Sequence, residues 1–197
     1  MKRAGLTAAL LIAATTVAAA ANVRLAASPS AAHCGGALWR LKTLSDAGRT
    51  SVRLTPASTT IAAITGRPFP QPLPTKRRTS FQRQTWEVVA QLTTFRLEAG
   101  GIRLVLVDSN SFMNAVIPTP ACLSARTRAR EQIAQVWKQF AGDCARANTD
   151  WQPLGAIVYV QGVGFWSQRQ QGLRGAAPNG AELHPVTGFR IVVGCGG

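Results

Sequence analysis

Trp86-Glu-Val-Val-Ala-Gln-Leu-Thr-Thr-Phe-Arg-Leu97 is rich in β-branched and aromatic side chains and reads as a long strand. Glu98-Ala-Gly-Gly101 follows, with two glycines able to adopt the positive φ of a tight turn. Ile102-Arg-Leu-Val-Leu-Val107 is a second strand and Asp108-Ser-Asn-Ser111 a second polar turn. Phe112-Met-Asn-Ala-Val-Ile117 is a third strand, ended by Pro118. Three strands with short turns predict an antiparallel meander.

Beyond the meander the apolar period changes. Ile133, Val136, Trp137 and Phe140 fall at i, i+3, i+4 and i+7, which predicts a helix with Ser124 as its N-cap and Gly142 as its terminator. Its arginines, Arg126, Arg128 and Arg130, read as a solvated face. Two further strands are expected, Ala156 to Phe165 and Glu182 to Val193, joined by a 15-residue loop over 166–180. Loops of that length often carry function. The order is β-β-β-α-β-β. An open sheet of this kind leaves two edges exposed. Closing it gives the expected fold: all-β with one helix, an OB-like five-stranded barrel, closed or partly open, with the helix between strands three and four. A plain meander with a packed helix is the competing arrangement.

Upstream of the meander the chain is less regular. Trp39-Arg-Leu-Lys-Thr-Leu44 reads as a short strand. Thr65-Gly-Arg-Pro-Phe-Pro-Gln-Pro-Leu-Pro74 holds four prolines and is expected to be extended. Lys76-Arg77-Arg78 follows. At the start, Lys2 and Arg3 precede an apolar run from Leu6 to Ala21 with small residues at Ala19 and Ala21, the pattern of a secretory leader. The expected organisation is a signal peptide over 1–21, cleaved there or as late as 27, then an N-terminal extension with a Pro-rich basic linker over 22–85, and the OB-like domain over 86–194. No transmembrane segment is expected once the leader is removed. The expected location is secreted, extracellular or in the cell envelope.

Four cysteines, Cys34, Cys122, Cys144 and Cys195, form no C-x-x-C pair, so neither a zinc site nor thioredoxin-like chemistry is supported. An even count in an exported chain reads as two disulfides, with three connectivities open. The preferred pairing is Cys34 with Cys122, pinning the N-terminal segment to the body, and Cys144 with Cys195, tying the chain after the helix to the last strand.

Several segments together resemble a family of uncharacterised secreted bacterial proteins. They are Cys34-Gly-Gly-Ala-Leu-Trp-Arg-Leu-Lys-Thr43, Phe95-Arg-Leu-Glu98 with Ile102-Arg-Leu-Val-Leu-Val-Asp108, Ile117-Pro-Thr-Pro-Ala-Cys122, and Gly162-Val-Gly-Phe165 with Ala177-Pro-Asn-Gly-Ala-Glu-Leu-His-Pro-Val186. The resemblance spans most of residues 34–193. It implies an exported single domain and a Cys34–Cys122 disulfide, and it implies no activity. Relatives commonly carry an aromatic-Asp-aromatic stretch and then a histidine after Gly-Val-Gly-Phe. This chain has Trp166-Ser-Gln-Arg-Gln-Gln171 instead, so chemistry resting on those residues would be absent here.

Candidate chemistry is sparse. Glu182 and His184 leave one face of a strand, where they could share a proton or ligate a metal with a third group, Asp108 being the additional candidate. The alternative is structural: Glu182 paired with an arginine and the imidazole bonded to backbone. Arg103-Leu-Val-Leu-Val-Asp108 resembles one strand of micrococcal-type nucleases, which implies calcium on Asp108 and phosphate on Arg103. That family's general-base glutamate is replaced by Ser111, and without a base hydrolysis loses orders of magnitude. No Gly-x-Ser-x-Gly elbow, Walker loop or dinucleotide fingerprint occurs. No metal or cofactor is expected.

Charge favours binding. The chain carries 22 Lys and Arg against 8 Asp and Glu, a formal net charge of +14. Such a surplus favours polyanions, although eighteen of the 22 cations are arginine, a bias that genome composition also produces. Lys76-Arg-Arg-Thr-Ser-Phe-Gln-Arg-Gln-Thr-Trp86 interleaves cations with rings, as do Trp166, Arg169 and Arg174 in the long loop. The expected ligand-binding residues are therefore Arg77, Arg78, Arg83, Trp166, Arg169 and Arg174. The expected partner is a nucleic acid or an anionic glycan, bound without chemistry. A degenerate hydrolase or nuclease using Glu182 and His184, and a structural cell-envelope module, are the alternatives.

Overall fold

The computed structural model describes Cys34, residues 36–168 and residues 172–195. The segment read as a leader, and Arg169, lie outside them. Six strands make up one sheet: β1 (Arg53–Ser58), β2 (Gln84–Glu98), β3 (Gly101–Asp108), β4 (Ser111–Pro118), β5 (Gln152–Trp166) and β6 (Ala181–Val193). Their order is β1-β2-β3-β4-β6-β5, and β2 also pairs with β5. Five strands therefore form a ring, β2-β3-β4-β6-β5-β2, with β1 outside it. The ring uses the five segments that the sequence reads as strands. Its pairs are antiparallel except β4 with β6, which run parallel through Asn114–Glu182 and Ala115–Leu183.

Closure is possible because β2 and β5 are both 15 residues long. Long strands can bend and pair on both sides, and a ring leaves no free edge among its own members. Strand period then sorts the side chains. Val88, Ala90, Leu92, Leu104, Leu106, Met113, Ala115, Val158, Val160 and Leu183 point inward and form the main core. Alternate residues face out.

Among the described residues three α-helices accompany the strands: the short α1 (Trp39–Lys42) and α2 (Ile61–Thr65), and α3 (Arg130–Asp143). α3 buries Ile133, Val136 and Phe140 of its predicted apolar stripe, and the fourth member, Trp137, is half-buried. The Phe140 ring meets those of Phe95 and Phe189 edge-on, with centroids 5.1 and 5.7 Å apart. The helix starts later than the sequence suggests. Ala129 precedes it with φ 61°, while the Ser124 hydroxyl accepts from the Arg126 N–H instead of capping α3. Tertiary bonds hold the intervening turn: Arg128 N donates to the Leu44 carbonyl, and Arg128 Nη1 donates to the carbonyls of Arg49, Thr50 and Val52.

The segment expected as a strand at Trp39 is helical. Leu41 and Leu44 are both buried, and their three-residue spacing suits a helical turn rather than a pleat. Residues 36–85 contribute directly to the ring's packing. Ile61, Ile64 and Phe81 belong to the main core, with Phe69 and Leu73 of the proline-rich stretch packed against it. The Thr60 hydroxyl accepts from Ala63 N–H and caps α2. Gly164 marks how closely this segment approaches: a Cβ there would lie 2.2 Å from the Phe81 carbonyl oxygen. A second small core, Leu44, Val52 and Val163 with Leu54, forms outside the ring.

Both disulfides pair as preferred, Cys34 with Cys122 and Cys144 with Cys195. They close stretches of 88 and 51 residues, which in the chain-entropy account is about 4 to 5 kcal/mol each. No helix among the described residues is long and apolar enough to cross a membrane.

Candidate binding clefts and a sealed His–Glu–Arg network

Glu182 and His184 flank Leu183, whose side chain lies inside the ring, so both face outward. They are nevertheless buried, at 5 % and 3 % exposure. The chain around α1 covers them: the Trp39 ring centroid is 6.4 Å from that of His184, and Phe165 lies on another side at 5.8 Å. Arg103 reaches across from β3. Its Nη1 donates to Glu182 Oε2 at 3.2 Å, and its Nε donates to Glu98 Oε2 at 2.7 Å. Arg96 completes the row, donating from Nε and Nη2 to Glu98 Oε1 at 2.9 and 2.6 Å.

His184 Nδ1 lies 3.5 Å from Glu182 Oε1, and neither ring nitrogen makes a hydrogen bond among the described residues. Burial alone pushes the Glu182 carboxyl up; contact with His184, then the charges of Arg103 and Lys42, outweigh it and hold the pKa at about 2. Burial pushes the His184 imidazole down, and Glu182 offsets this only in part, leaving it at about 4. At neutral pH the pair is a carboxylate beside a neutral imidazole, under a lid of aromatic carbon.

Asp108 does not join them. It pairs with Ser111 at the far end of the β3–β4 hairpin, whereas Glu182 pairs with Asn114. Three residues along β4 is roughly 10 Å, and two inter-strand steps add about 10 Å sideways. The catalytic grouping of Glu182, His184 and Asp108 is thus a buried pair and a separate turn residue.

The expected ligand-binding residues divide in the same way. Arg77 is buried, and four of its five N–H donors are used within the fold. Nε and Nη2 donate to Asp46 Oδ1 at 3.1 and 2.9 Å, Nη2 also to the Leu41 carbonyl at 2.6 Å, and Nη1 to the Gln82 carbonyl at 3.0 Å. Trp166 is 2 % exposed, packs on Phe69 and Phe81, and donates from Nε1 to Thr79 Oγ1 at 3.1 Å. Both side chains are buried and bonded within the fold. Arg174 is exposed and lies over the Trp151 ring at 5.4 Å, with Arg96 also over that ring at 4.6 Å. Arg174 and Gly175 of the long loop lie against β4 and β3: Asn114 Nδ2 donates to the Arg174 carbonyl, and a Cβ on Gly175 would meet the Val105 side chain.

Arg78 and Arg83 are exposed. Arg83 lines an open cleft of about 490 Å³ together with Ser51, Arg53, Ser80, Gln84 and Trp86. β1 positions Arg53 by pairing it with Gln84, and Gln84 Nε2 donates to the Thr55 carbonyl at 2.8 Å. Val52 and Leu54 turn toward the outer core, so Arg53 between them turns away. No acidic residue lines the cleft. Neither guanidinium has an ion pair or side-chain hydrogen bond among the described residues. Trp86 gives the cleft an apolar wall; its Nε1 donates to the Phe81 carbonyl, and Arg67 lies over its ring at 4.6 Å. Sequence reading missed Arg53. The signal available was the alternation of Val52-Arg53-Leu54, too short to read as a strand.

No protein-family model matches the chain, and no curated protein matches it. Among solved structures, it is similar to a provisionally assigned aspartyl-tRNA synthetase from Leishmania major Friedlin, at 14 % identity and TM-score 0.44, over 73 % of this chain and 22 % of that one. It is also similar to asparaginyl-tRNA synthetase from Pyrococcus horikoshii, alone and complexed with asparaginyl-adenylate, at 18 % identity and TM-score 0.37, over 57 % of this chain and 20 % of that one. The chain thus spans about a fifth of the length of each of these proteins.

Proposed function

We propose that this chain is an exported, disulfide-bonded, OB-like module that holds an anionic polymer in the Arg53–Arg83–Trp86 cleft and performs no chemistry on it. The OB-like description rests on strand pairing: a five-stranded ring with a helix between its third and fourth members. The observation that carries the binding reading is a pair of guanidiniums without a partner among the described residues, on one cleft whose described lining holds no carboxylate. Like charges held together repel, and an anion offsets that repulsion. Arginine's planar fork matches phosphate, sulfate or carboxylate oxygens bidentately. Exposed cations also stand at Arg40, Arg126, Arg130, Lys138, Arg146 and Arg190, so charge alone selects no face. The cleft does, because it is concave and, apart from the Trp86 wall, is lined entirely by cations, hydroxyls and an amide, which suits an anionic chain along its length.

Hydrolysis finds no support at Glu182 and His184, which are covered and lie apart from Asp108. Export is compatible with two disulfides and with the apolar leader pattern. Filter binding with single-stranded DNA, RNA and an anionic glycan tests the reading. At least one is expected to bind at low salt and to weaken as salt rises, and Arg53→Glu with Arg83→Glu should weaken it more than tenfold. Absence of salt-dependent binding to all three, or binding unchanged in the double variant, would overturn the proposal.

A further inference from the structure

Two other cavities meet at Ala121 and Cys122, which line both. One, of about 390 Å³, is walled mainly by carbon: Leu97 and Ala99, the backbone of Gly100 and Gly101, and the Trp137 indole. Glu98 lines it too, but its carboxylate is held by Arg96 and Arg103. The other, of about 580 Å³, holds Arg40 and Arg126 with the hydroxyls of Ser45 and Ser124, and no acidic residue. Neither guanidinium has an ion pair or side-chain hydrogen bond among the described residues. Trp39 fixes the boundary. Its ring sits on Gly100, where a Cβ would approach to 2.7 Å, and its Nε1 donates to the Cys122 carbonyl at 3.4 Å. The apolar chamber and the cationic one are therefore held side by side by packed backbone and a disulfide.

Apolar chambers of a few hundred Å³ with few, well-placed polar groups are the usual form of small-molecule sites. Here the charged groups that no described residue neutralises, Arg40 and Arg126, share one sign and lie at one end. The geometry points to a site for a small amphipathic anion, an alkyl or aryl carboxylate or sulfonate. Its apolar body rests on Leu97 and Trp137, and its acid group crosses the Ala121–Cys122 ridge to Arg40 and Arg126. The Arg53–Arg83 cleft plays no part in it. A long polyanion fits this place less well, because the apolar half of the surface has no cation in its lining.

The test is titration calorimetry of the full chain with decanoate, hexanoate, acetate and neutral decanol, all below micelle concentration. Each buried CH₂ tightens binding roughly fourfold. Decanoate should therefore bind at least tenfold more tightly than hexanoate, and acetate negligibly. Arg40→Gln with Arg126→Gln should weaken decanoate at least tenfold and leave decanol within threefold. Thr149→Trp, which fills the apolar chamber from an exposed loop position, should weaken both ligands, with the thermal midpoint confirming that the variant is folded. Decanoate no tighter than hexanoate, or decanoate affinity unchanged in the arginine double variant, would overturn the assignment. Decanol lost in step with decanoate in that variant would overturn it too. Since Arg53 and Arg83 remain intact in every variant, a failure here leaves the polymer-binding proposal standing.

Discussion

Arg77 separates scaffold from ligand surface most sharply. Its side chain is 1 % exposed and its partner Asp46 10 %. Burial pushes the guanidinium's pKa down, and the charge and hydrogen bonds of Asp46 push back. Replacing Arg77 with Met keeps the stem's carbon but leaves Asp46 buried with only the Gly48 N–H on its Oδ2. It also strips the donors from the Leu41 and Gln82 carbonyls. Breaking one side of such a buried pair costs about 3–5 kcal/mol. With a urea m-value of about 2 kcal/mol/M, the unfolding midpoint should fall by roughly 1.5–2.5 M. Arg77→Met with Asp46→Leu removes the uncompensated charge and should recover part of that loss, the Leu41 and Gln82 carbonyls still lacking their donors. Urea titration followed by tryptophan fluorescence reads the midpoint, and polymer binding by folded protein should stay within threefold. A midpoint within 0.5 M of the parent in Arg77→Met, combined with a tenfold loss of binding, would refute the placement of Arg77 as scaffold.

Acid should destabilise the fold through Glu182 and His184. Their pKa values, about 2 and about 4, lie below the ordinary 4.5 and 6.5, so the unfolded chain binds the extra protons. Stability is then full above about pH 6.5. It falls through the His184 window down to 4 and through the Glu182 window from 4.5 to 2. His184→Phe should flatten the upper window, and an unchanged difference between urea midpoints at pH 4.5 and pH 7 would contradict this. Replacing Cys144 and Cys195 together by alanine should cost about 4 kcal/mol for a 51-residue closure, measured as the loss of unfolding free energy. Gly164→Ala would drive a methyl against the Phe81 carbonyl and should cost about 1–3 kcal/mol; a midpoint equal to the parent's would show that the 81–83 turn moves freely.

The ring was legible because its signals are local. Alternating and β-branched runs mark all five of its strands, and glycine and polar turns separate them. The α3 stripe was legible too, whereas the cysteine count left three connectivities open, of which the preferred one is formed. Other features depend on contacts distant in sequence. Arg77 and Arg78 are neighbours in a loop with no period, and only the fold decides that one meets Asp46 and the other meets solvent. Trp166 reads as a loop aromatic, yet β5 runs on through it and delivers its ring to Phe81. Ser124 is a good cap by type, but the bonds from Arg128 to residues 49–52 hold its turn outside the helix. Arg53 joins Arg83 only through a parallel strand pairing about thirty residues apart in sequence, which no local pattern announces.

The binding account is tested most directly by the salt dependence of single-stranded DNA affinity, measured for the parent and for Arg53→Gln with Arg83→Gln. Each phosphate contact contributes about 0.7 to the slope of log K against log salt on single strands. Loss of two contacts should therefore shallow the slope by roughly 1.4 and lower affinity at low salt. Equal slopes for the two proteins would mean that the Arg53–Arg83 cleft does not hold the polymer.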